Sequence, residues 1–206
     1  HGSLNSDVRS MRSQGALEET GQVLDLAIEG EGMFIVGKAG NNLETNAFFT
    51  RDGSFQLDEA GYISSSEGLR LKSLTMGDIE VPKTITEDGD ILFLSSLSID
   101  ETGSVNAKYG EGISRVLAQI GMAQFPDISQ LQENGSNLFR STNASGAAEV
   151  TAPFTGGNGR IMSGTLEMSN INMSSELTTM IQAQQAFSGS SRLLQSETEM
   201  LRRLIG

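Results

Sequence analysis

Cysteine is absent from the sequence, and with it go disulfide frameworks, thiolate zinc sites and cysteine nucleophiles. Packing and hydrogen bonds must hold the fold. Tryptophan is also absent and there are only two tyrosines, Tyr62 and Tyr109. These are too few for the exposed aromatic platform of a secreted carbohydrate-binding or adhesive β module, which stands as the weaker alternative class. The single histidine, His1, opens a polar stretch, which removes Ser-His-Asp triads and histidine metal sites. No pair of groups stands out as nucleophile and base, so neither enzymatic activity nor a cofactor or metal is expected. Positive charge is scarce: 14 Lys and Arg against 26 Asp and Glu give a net charge of -12. That balance works against binding to phosphate backbones or anionic bilayers, so no nucleic acid and no membrane is expected as a partner. No apolar run approaches the ~20 residues of a spanning helix, and residues 1–20 lack a secretory signal pattern. The chain reads as soluble.

What the sequence does hold is glycine, 24 residues of it, set between short apolar runs in the manner of a β-rich domain. Val23 to Ile28 and Met33 to Val36, joined through Glu29-Gly30-Glu31-Gly32, predict a hairpin. Ala47 to Thr50 and Phe55 to Leu57 flank Arg51-Asp52-Gly53-Ser54, where Asp-Gly is expected to supply the positive φ of a tight turn. Asp58 to Gly61 turns the chain again into Tyr62-Ile63. Ile79 to Val81, Ile91 to Leu94, Ser98-Ile99 and Ser104 to Tyr109 continue as a meander. Glu87-Asp88-Gly89-Asp90 lacks the ligand spacing of a calcium loop and reads as an acidic turn. Gly30-Glu31-Gly32 and Gly156-Gly157-Asn158-Gly159 lack the phosphate-loop lysine and read as turns.

Val116 to Phe125, stopped by Pro126, predicts one central strand. From Gln132 to Arg160 the composition of Asn, Ser, Gly and Ala suggests an extended connection. From Asn172 the period changes: Met173, Leu177, Met180, Phe187, Leu194, Leu201 and Ile205 alternate spacings of three and four, as in a helix that packs lengthwise. Asn172 or Ser174 suits the N-cap, Glu176 the first turn and Arg202 with Arg203 the last. Such a helix would be about 50 Å long at ~1.5 Å per residue. The fold class expected is therefore mainly β with a long C-terminal α-helix, a β-rich outer domain plus a coiled-coil-like terminal helix. Its parts are an extended segment at 1–15, a β-rich domain at 16–150, an extended connection at 151–172 and a polymerisation helix at 173–206.

Three blocks of residues then suggest a family. Gln14-Gly15, Thr20-Gly21 and Leu24 to Phe34 form the first. Thr50 to Phe55 with Leu57-Asp58 and Gly61-Tyr62 form the second, and Gly164 to Asn172 the third. In this order they resemble the axial proteins of the bacterial flagellum, specifically the hook protein and the distal rod protein. The Gly164 to Asn170 stretch looks slightly more hook-like, so hook is the reading favoured and distal rod the alternative. The family's N-terminal helix block is missing, which implies a trimmed start.

The resemblance implies a non-enzymatic structural subunit, exported across the envelope by the flagellar type III apparatus. It further implies terminal helices inside a tube and the β domain outside. The partners implied are copies of itself in a helical homopolymer and neighbouring rod, hook or hook-junction proteins. The polymer interface expected on the terminal helix comprises Leu177, Met180, Ile181, Gln184, Phe187, Leu194 and Leu201. The small residues Ala183, Ala186, Ser188, Gly189, Ser190 and Ser191 allow close helix approach.

Overall fold

A computed structural model describes residues 14–40, 47–87, 89–168, 178 and 180–191. By contacts the chain divides into two units, His1–Met168 and Ser169–Gly206. The strands of the first are β1 (Leu17–Glu19), β2 (Leu26–Glu29), β3 (Met33–Gly37), β4 (Ala47–Thr50), β5 (Phe55–Leu57), β6 (Ile63–Ser65), β7 (Arg70–Leu71), β8 (Thr84–Glu87) and β9 (Asp90–Ile99). They continue with β10 (Ser104–Tyr109), β11 (Ile113–Gln119), β12 (Met122–Gln124), β13 (Gln132–Glu133), β14 (Phe139–Arg140), β15 (Glu149–Thr151), β16 (Arg160–Ser163) and β17 (Thr165–Glu167).

The main sheet runs β13-β14-β4-β3-β7-β6-β5, with β12 joining β3 to β15. β3 is its centre, since β4 flanks one edge while β12 and β7 share the other. All five of its residues are buried, and alternate side chains feed different cores. Phe34 and Val36 enter the larger cluster with Leu26, Ile28, Ile63, Leu71 and Ile120. Met33 and Ile35 enter a second cluster with Phe49, Ala123, Phe125 and Leu131. A strand covered on both faces reads as a continuous apolar run rather than an alternation, as Met33-Phe34-Ile35-Val36 does. Edge-on aromatic pairs lie in each cluster, Phe34 on Phe55 at 5.5 Å and Phe49 on Phe125 at 4.7 Å between ring centres.

β8 to β11 form a four-stranded antiparallel meander in order β11-β10-β9-β8, but not from the segments expected: Ile91 to Leu94 and Ser98-Ile99 are one strand, β9, Ile79 to Val81 forms no strand, and β8 and β11 complete the sheet. Tyr109, fully buried, ties it down by donating its hydroxyl to the Pro82 carbonyl at 2.8 Å. Asp100 shapes the β9–β10 turn by accepting from the Thr102 hydroxyl and the Thr102 and Ser104 N–H groups. A second polar hub is Asp78, which accepts from Lys72 Nζ at 2.5 Å, Arg70 at 2.9 Å and the Gly40 N–H at 3.2 Å. Lys72 also donates to the Lys38 and Gly40 carbonyls, so this hub anchors the loop after β3. Burial works to raise the Asp78 pKa, but hydrogen bonds from Lys72, Arg70 and Gly40 outweigh it and hold the carboxyl below its usual range.

Several expectations need correction. β2 and β3 are strands but not a hairpin: β2 pairs with β16, and β3 with β4, β7 and β12. The Glu31 carbonyl in their connection accepts instead from the Gly159 N–H at 2.8 Å. The Asp52-Gly53 turn does not use a positive φ at Gly53. Asp52 Oδ1 accepts from the Ser54 N–H and hydroxyl, and Gly53 is needed for room, because a Cβ there would lie 1.6 Å from the Leu26 carbonyl oxygen. Val116 to Phe125 is not one strand either. It divides into β11 and β12 at Gly121, which passes the Ser73 carbonyl so closely that a Cβ would stand 2.8 Å from its oxygen. The 151–172 stretch read as an extended connection supplies β16 and β17, which pair with β2 and β1.

The long coiled-coil-like helix over 173–206 is overturned. Among the described residues of the second unit the helix, α1, covers 180–191, with residue 178 also helical. Within it Ser188-Gly189-Ser190-Ser191 are weak helix formers, glycine costing ~1 kcal/mol relative to alanine. A three-four spacing of apolar residues stabilises a helix only when the stripe is buried, and this one is not: Met180, Ile181 and Phe187 are 57%, 53% and 76% exposed.

Candidate assembly interface

The described residues of the three sequence blocks, far apart in the chain, converge in space. β1 pairs antiparallel with β17, Leu17 opposite Glu167 and Glu19 opposite Thr165. The chain thus enters and leaves the β unit side by side. Around this neck the Thr20 and Gly21 N–H groups donate to the Gly164 carbonyl, and the Met168 N–H donates to Ala16. The second block meets the neck through Arg51, whose rigid guanidinium fork reaches several acceptors at once. It donates to the Gly30 carbonyl at 2.5 Å and to Gly32 at 3.2 Å, and it pairs with Glu167 at 3.5 Å. Glu167 also accepts from the Gly15 N–H, while Gln14 donates to Ile28 and accepts from Gly30. Buried Asp25 accepts from the Thr20 hydroxyl through its carboxylate and from the Thr165 N–H through its carbonyl. The described parts of the blocks legible as separate motifs are held together by one network of hydrogen bonds and an ion pair.

A second clamp stands beside it. Arg160 pairs with Glu29 across the β2–β16 ladder and reaches Glu101 at 3.6 Å, holding the β9–β10 turn to the neck strands. Hydrogen bonding and attraction to Glu29 raise the Arg160 pKa further, with Glu101 adding to it. Neither clamp was singled out from sequence, although Arg51 and Glu167 each lie inside a quoted block. Composition carries no sign that residues so far apart in sequence pair.

Of the interface residues expected from sequence, Met180, Ile181, Gln184 and Phe187 fall on α1. At 100° per residue Met180, Gln184 and Phe187 share one stripe, with Ile181 on its flank. All four side chains are exposed. Leu177, Leu194 and Leu201 lie outside the described residues, as does His1. Among the described residues no three Asp, Glu, His or Cys side chains are grouped so as to hold a metal, and no helix is long and apolar enough to cross a membrane. The arrangement offers clamps and exposed apolar surface.

Comparison with known proteins places this geometry. The flagellar hook protein FlgE/F/G D1 domain matches residues 27–107, and the flagellar basal body rod FlgEFG protein C-terminal region matches residues 162–206. The basal-body rod protein FlgG of Bacillus subtilis is 33% identical over 205 residues, covering 99% of this chain and 72% of the relative. FlgG of Borreliella burgdorferi is 31% identical over 202 residues, 98% of this chain and 71% of its own. The hook protein FlgE of Caulobacter vibrioides is 37% identical, but over 112 residues, 54% of this chain and 19% of that longer protein. With the neck built from the same three blocks, the chain belongs to the rod and hook family of flagellar axial proteins, structural subunits of the bacterial flagellum and not enzymes.

Proposed function

We propose that the chain is a distal-rod subunit of the flagellar basal body rather than a hook subunit. The observation that carries this reading is coverage. FlgG relatives align with 93% or more of the chain, against 54% for the hook relative, most of whose length has no counterpart here. The slightly hook-like stretch at Gly164 to Asn170 lies within the C-terminal match that spans rod and hook proteins alike, so it separates them poorly.

The subunit is exported through the flagellar apparatus and stacks with copies of itself and with adjoining axial proteins. Exposed Met180, Ile181 and Phe187 on α1 form part of the surface that neighbours bury. The clamps Arg51–Glu167 and Arg160–Glu29 brace the β unit itself, so that each subunit presents the same β surface to the next. The test is complementation of two strains, one without its FlgG-type rod subunit and one without its hook subunit, with electron microscopy of the isolated basal bodies. The chain should restore a straight distal rod in the first strain and nothing in the second. Restoration of a curved hook in the second would overturn the rod reading.

A further inference from the structure

We propose that Asn134-Gly135, in the turn between β13 and β14, is a site of spontaneous deamidation, where the folded chain converts its own asparagine into aspartate and isoaspartate. The inference goes beyond the rod reading and does not depend on it. The sequence holds two Asn-Gly dipeptides, Asn134-Gly135 and Asn158-Gly159, and the fold gives them opposite surroundings.

The chemistry is internal to the chain. The main-chain nitrogen of the residue after an asparagine attacks the side-chain Cγ, gives its proton to solvent and expels ammonia, closing a five-membered succinimide. Water then opens the ring. Breaking the bond from that nitrogen to Cγ leaves aspartate, whereas breaking its bond to the main-chain carbonyl leaves isoaspartate, in which the backbone runs through Cγ. The net change is amide plus water to carboxylate plus ammonium, with nothing oxidised or reduced. Glycine hinders the attack least, because it has no Cβ and turns most freely about its backbone bonds.

Asn134 meets each requirement. Residues 132–137 are all exposed. Among the described residues nothing bonds to the Asn134 amide, and nothing accepts from the Gly135 N–H, the attacking group. There is room for the ring, since a Cβ built on Gly135 would meet nothing within 4 Å. Asn158 has the same glycine after it and none of this freedom. It is 7% exposed, and its amide nitrogen donates to the Thr151 hydroxyl at 2.7 Å. The Gly159 N–H is engaged with the Glu31 carbonyl at 2.8 Å, and a Cβ on Gly159 would lie 2.1 Å from the Glu29 carbonyl oxygen. Succinimide closure at Asn158 must therefore wait for the loop to open.

The two products differ in what they do to the turn. The Asn134 N–H donates to the Leu138 carbonyl at 2.8 Å, and the Leu138 N–H donates to Gly135 at 2.9 Å. Leu138 is 9% exposed and belongs to the larger core cluster, and Phe139 after it lies opposite Phe49 of β4. Aspartate at 134 adds only a charge in water. Isoaspartate adds one carbon, about 1.5 Å of path, inside the loop that the Asn134–Leu138 bond closes, and so disturbs the seat of Leu138.

The test is peptide mapping by mass spectrometry of the purified chain aged in mildly alkaline buffer, beside a sample aged in denaturant. In the folded sample the Asn134 peptide should gain the mass of OH in place of NH2 and split into aspartate and isoaspartate forms. It should do so at least about tenfold faster than the Asn158 peptide, whose reaction carries the added cost of local opening. In denaturant the two should convert at comparable rates. A folded Asn134 that keeps its amide while the denatured one loses it would overturn the site. Equal rates in the folded chain, or the same gap in denaturant, would overturn the assignment of the contrast to the fold. Melting then separates the products. Aged wild type should melt below fresh protein, and Asn134→Asp, with the charge but not the extra carbon, should melt with the fresh protein. Asn134→Gln, which would have to close a larger ring, should not change on ageing. Aged wild type that is fully converted yet melts as fresh would overturn the effect on the turn.

Discussion

In the β unit and in α1 the same kinds of side chain meet opposite fates. Phe34 on β3 is fully buried and Phe187 on α1 is 76% exposed. Met122 is fully buried and Met180 is 57% exposed. An apolar residue contributes to folding only where it leaves water, about 25 cal/mol for each Å² removed. Buried phenylalanines therefore hold the β unit together, and the exposed ones contribute little to its folding. The two regions predict different responses to substitution, and that contrast can be broken at measurable points.

The largest effect should come from Gly53→Ala. Its new methyl would lie 1.6 Å from the Leu26 carbonyl, so the contact between β2 and the Thr50 to Phe55 block must open. A loss above about 4 kcal/mol in chemical denaturation is expected, because the obstacle is backbone and cannot rotate away. A loss below about 1 kcal/mol would mean that the neck is looser than it stands. Next is Phe34→Ala, which empties a fully buried site against Phe55 between β4 and β12. About 3–5 kcal/mol should be lost, and assembly should fall only with the amount of folded protein.

A smaller and pH-dependent effect belongs to Asp78. Replacing it with Asn leaves Lys72, only 5% exposed, without its carboxylate, at a cost of roughly 3 kcal/mol near neutral pH. The sign with pH follows from the depressed folded pKa. The carboxylate's contribution is complete above the unfolded value of ~3.9 and fades as pH falls through the lower folded value. Asp100 behaves alike: burial alone would raise it, but the bonds from Thr102, Ser104 and Asn106 prevail. The acid limb of a stability curve should therefore be shallower in Asp78→Asn than in wild type. Equal slopes would assign that limb to other carboxylates.

How much of this was legible in the sequence follows the range of the interactions. Strand segments are local, and Met33 to Val36, Ala47 to Thr50 and Ser104 to Tyr109 show as apolar or β-forming runs because each is about as long as the strand it makes. The Asp58 to Gly61 turn is legible too, since Asp58 accepts from the Tyr62 N–H and pairs β5 with β6 by contacts a few residues apart. Partners are not local. That β2 prefers β16, more than a hundred residues on, depends on Gly53 and Gly159 permitting close approach, and nothing in Glu29-Gly30-Glu31-Gly32 announces it. The division of Val116 to Phe125 depends on the same kind of distant obstacle, the Ser73 carbonyl beside Gly121. In the interface, periodicity placed Met180, Gln184 and Phe187 on one stripe but overstated the helix. Spacing reports which side chains share a face, not whether anything packs on it.

The smallest effect on folding should be that of Phe187→Asp, and it is the sharpest test of the contrast between the two regions. The ring is 76% exposed, so an aspartate there keeps its water and removes little buried area. Unfolding of the β unit should shift by no more than about 0.5 kcal/mol, the usual range for surface substitutions. Within an assembled rod the same aspartate would have to be desolvated beside a neighbouring chain, a cost of several kcal/mol unless a cation meets it. Incorporation and motility should then be lost although the purified protein melts as wild type does. Melting and complementation measured side by side for Phe187→Asp and Phe34→Ala give the answer in one experiment. If Phe187→Asp lowers the melting temperature as far as Phe34→Ala does, the stripe on α1 belongs to the subunit's own core and takes no part in the contact between subunits. If it changes neither melting nor assembly, Phe187 faces solvent in the rod as well, and the terminal contact must be sought elsewhere on the chain.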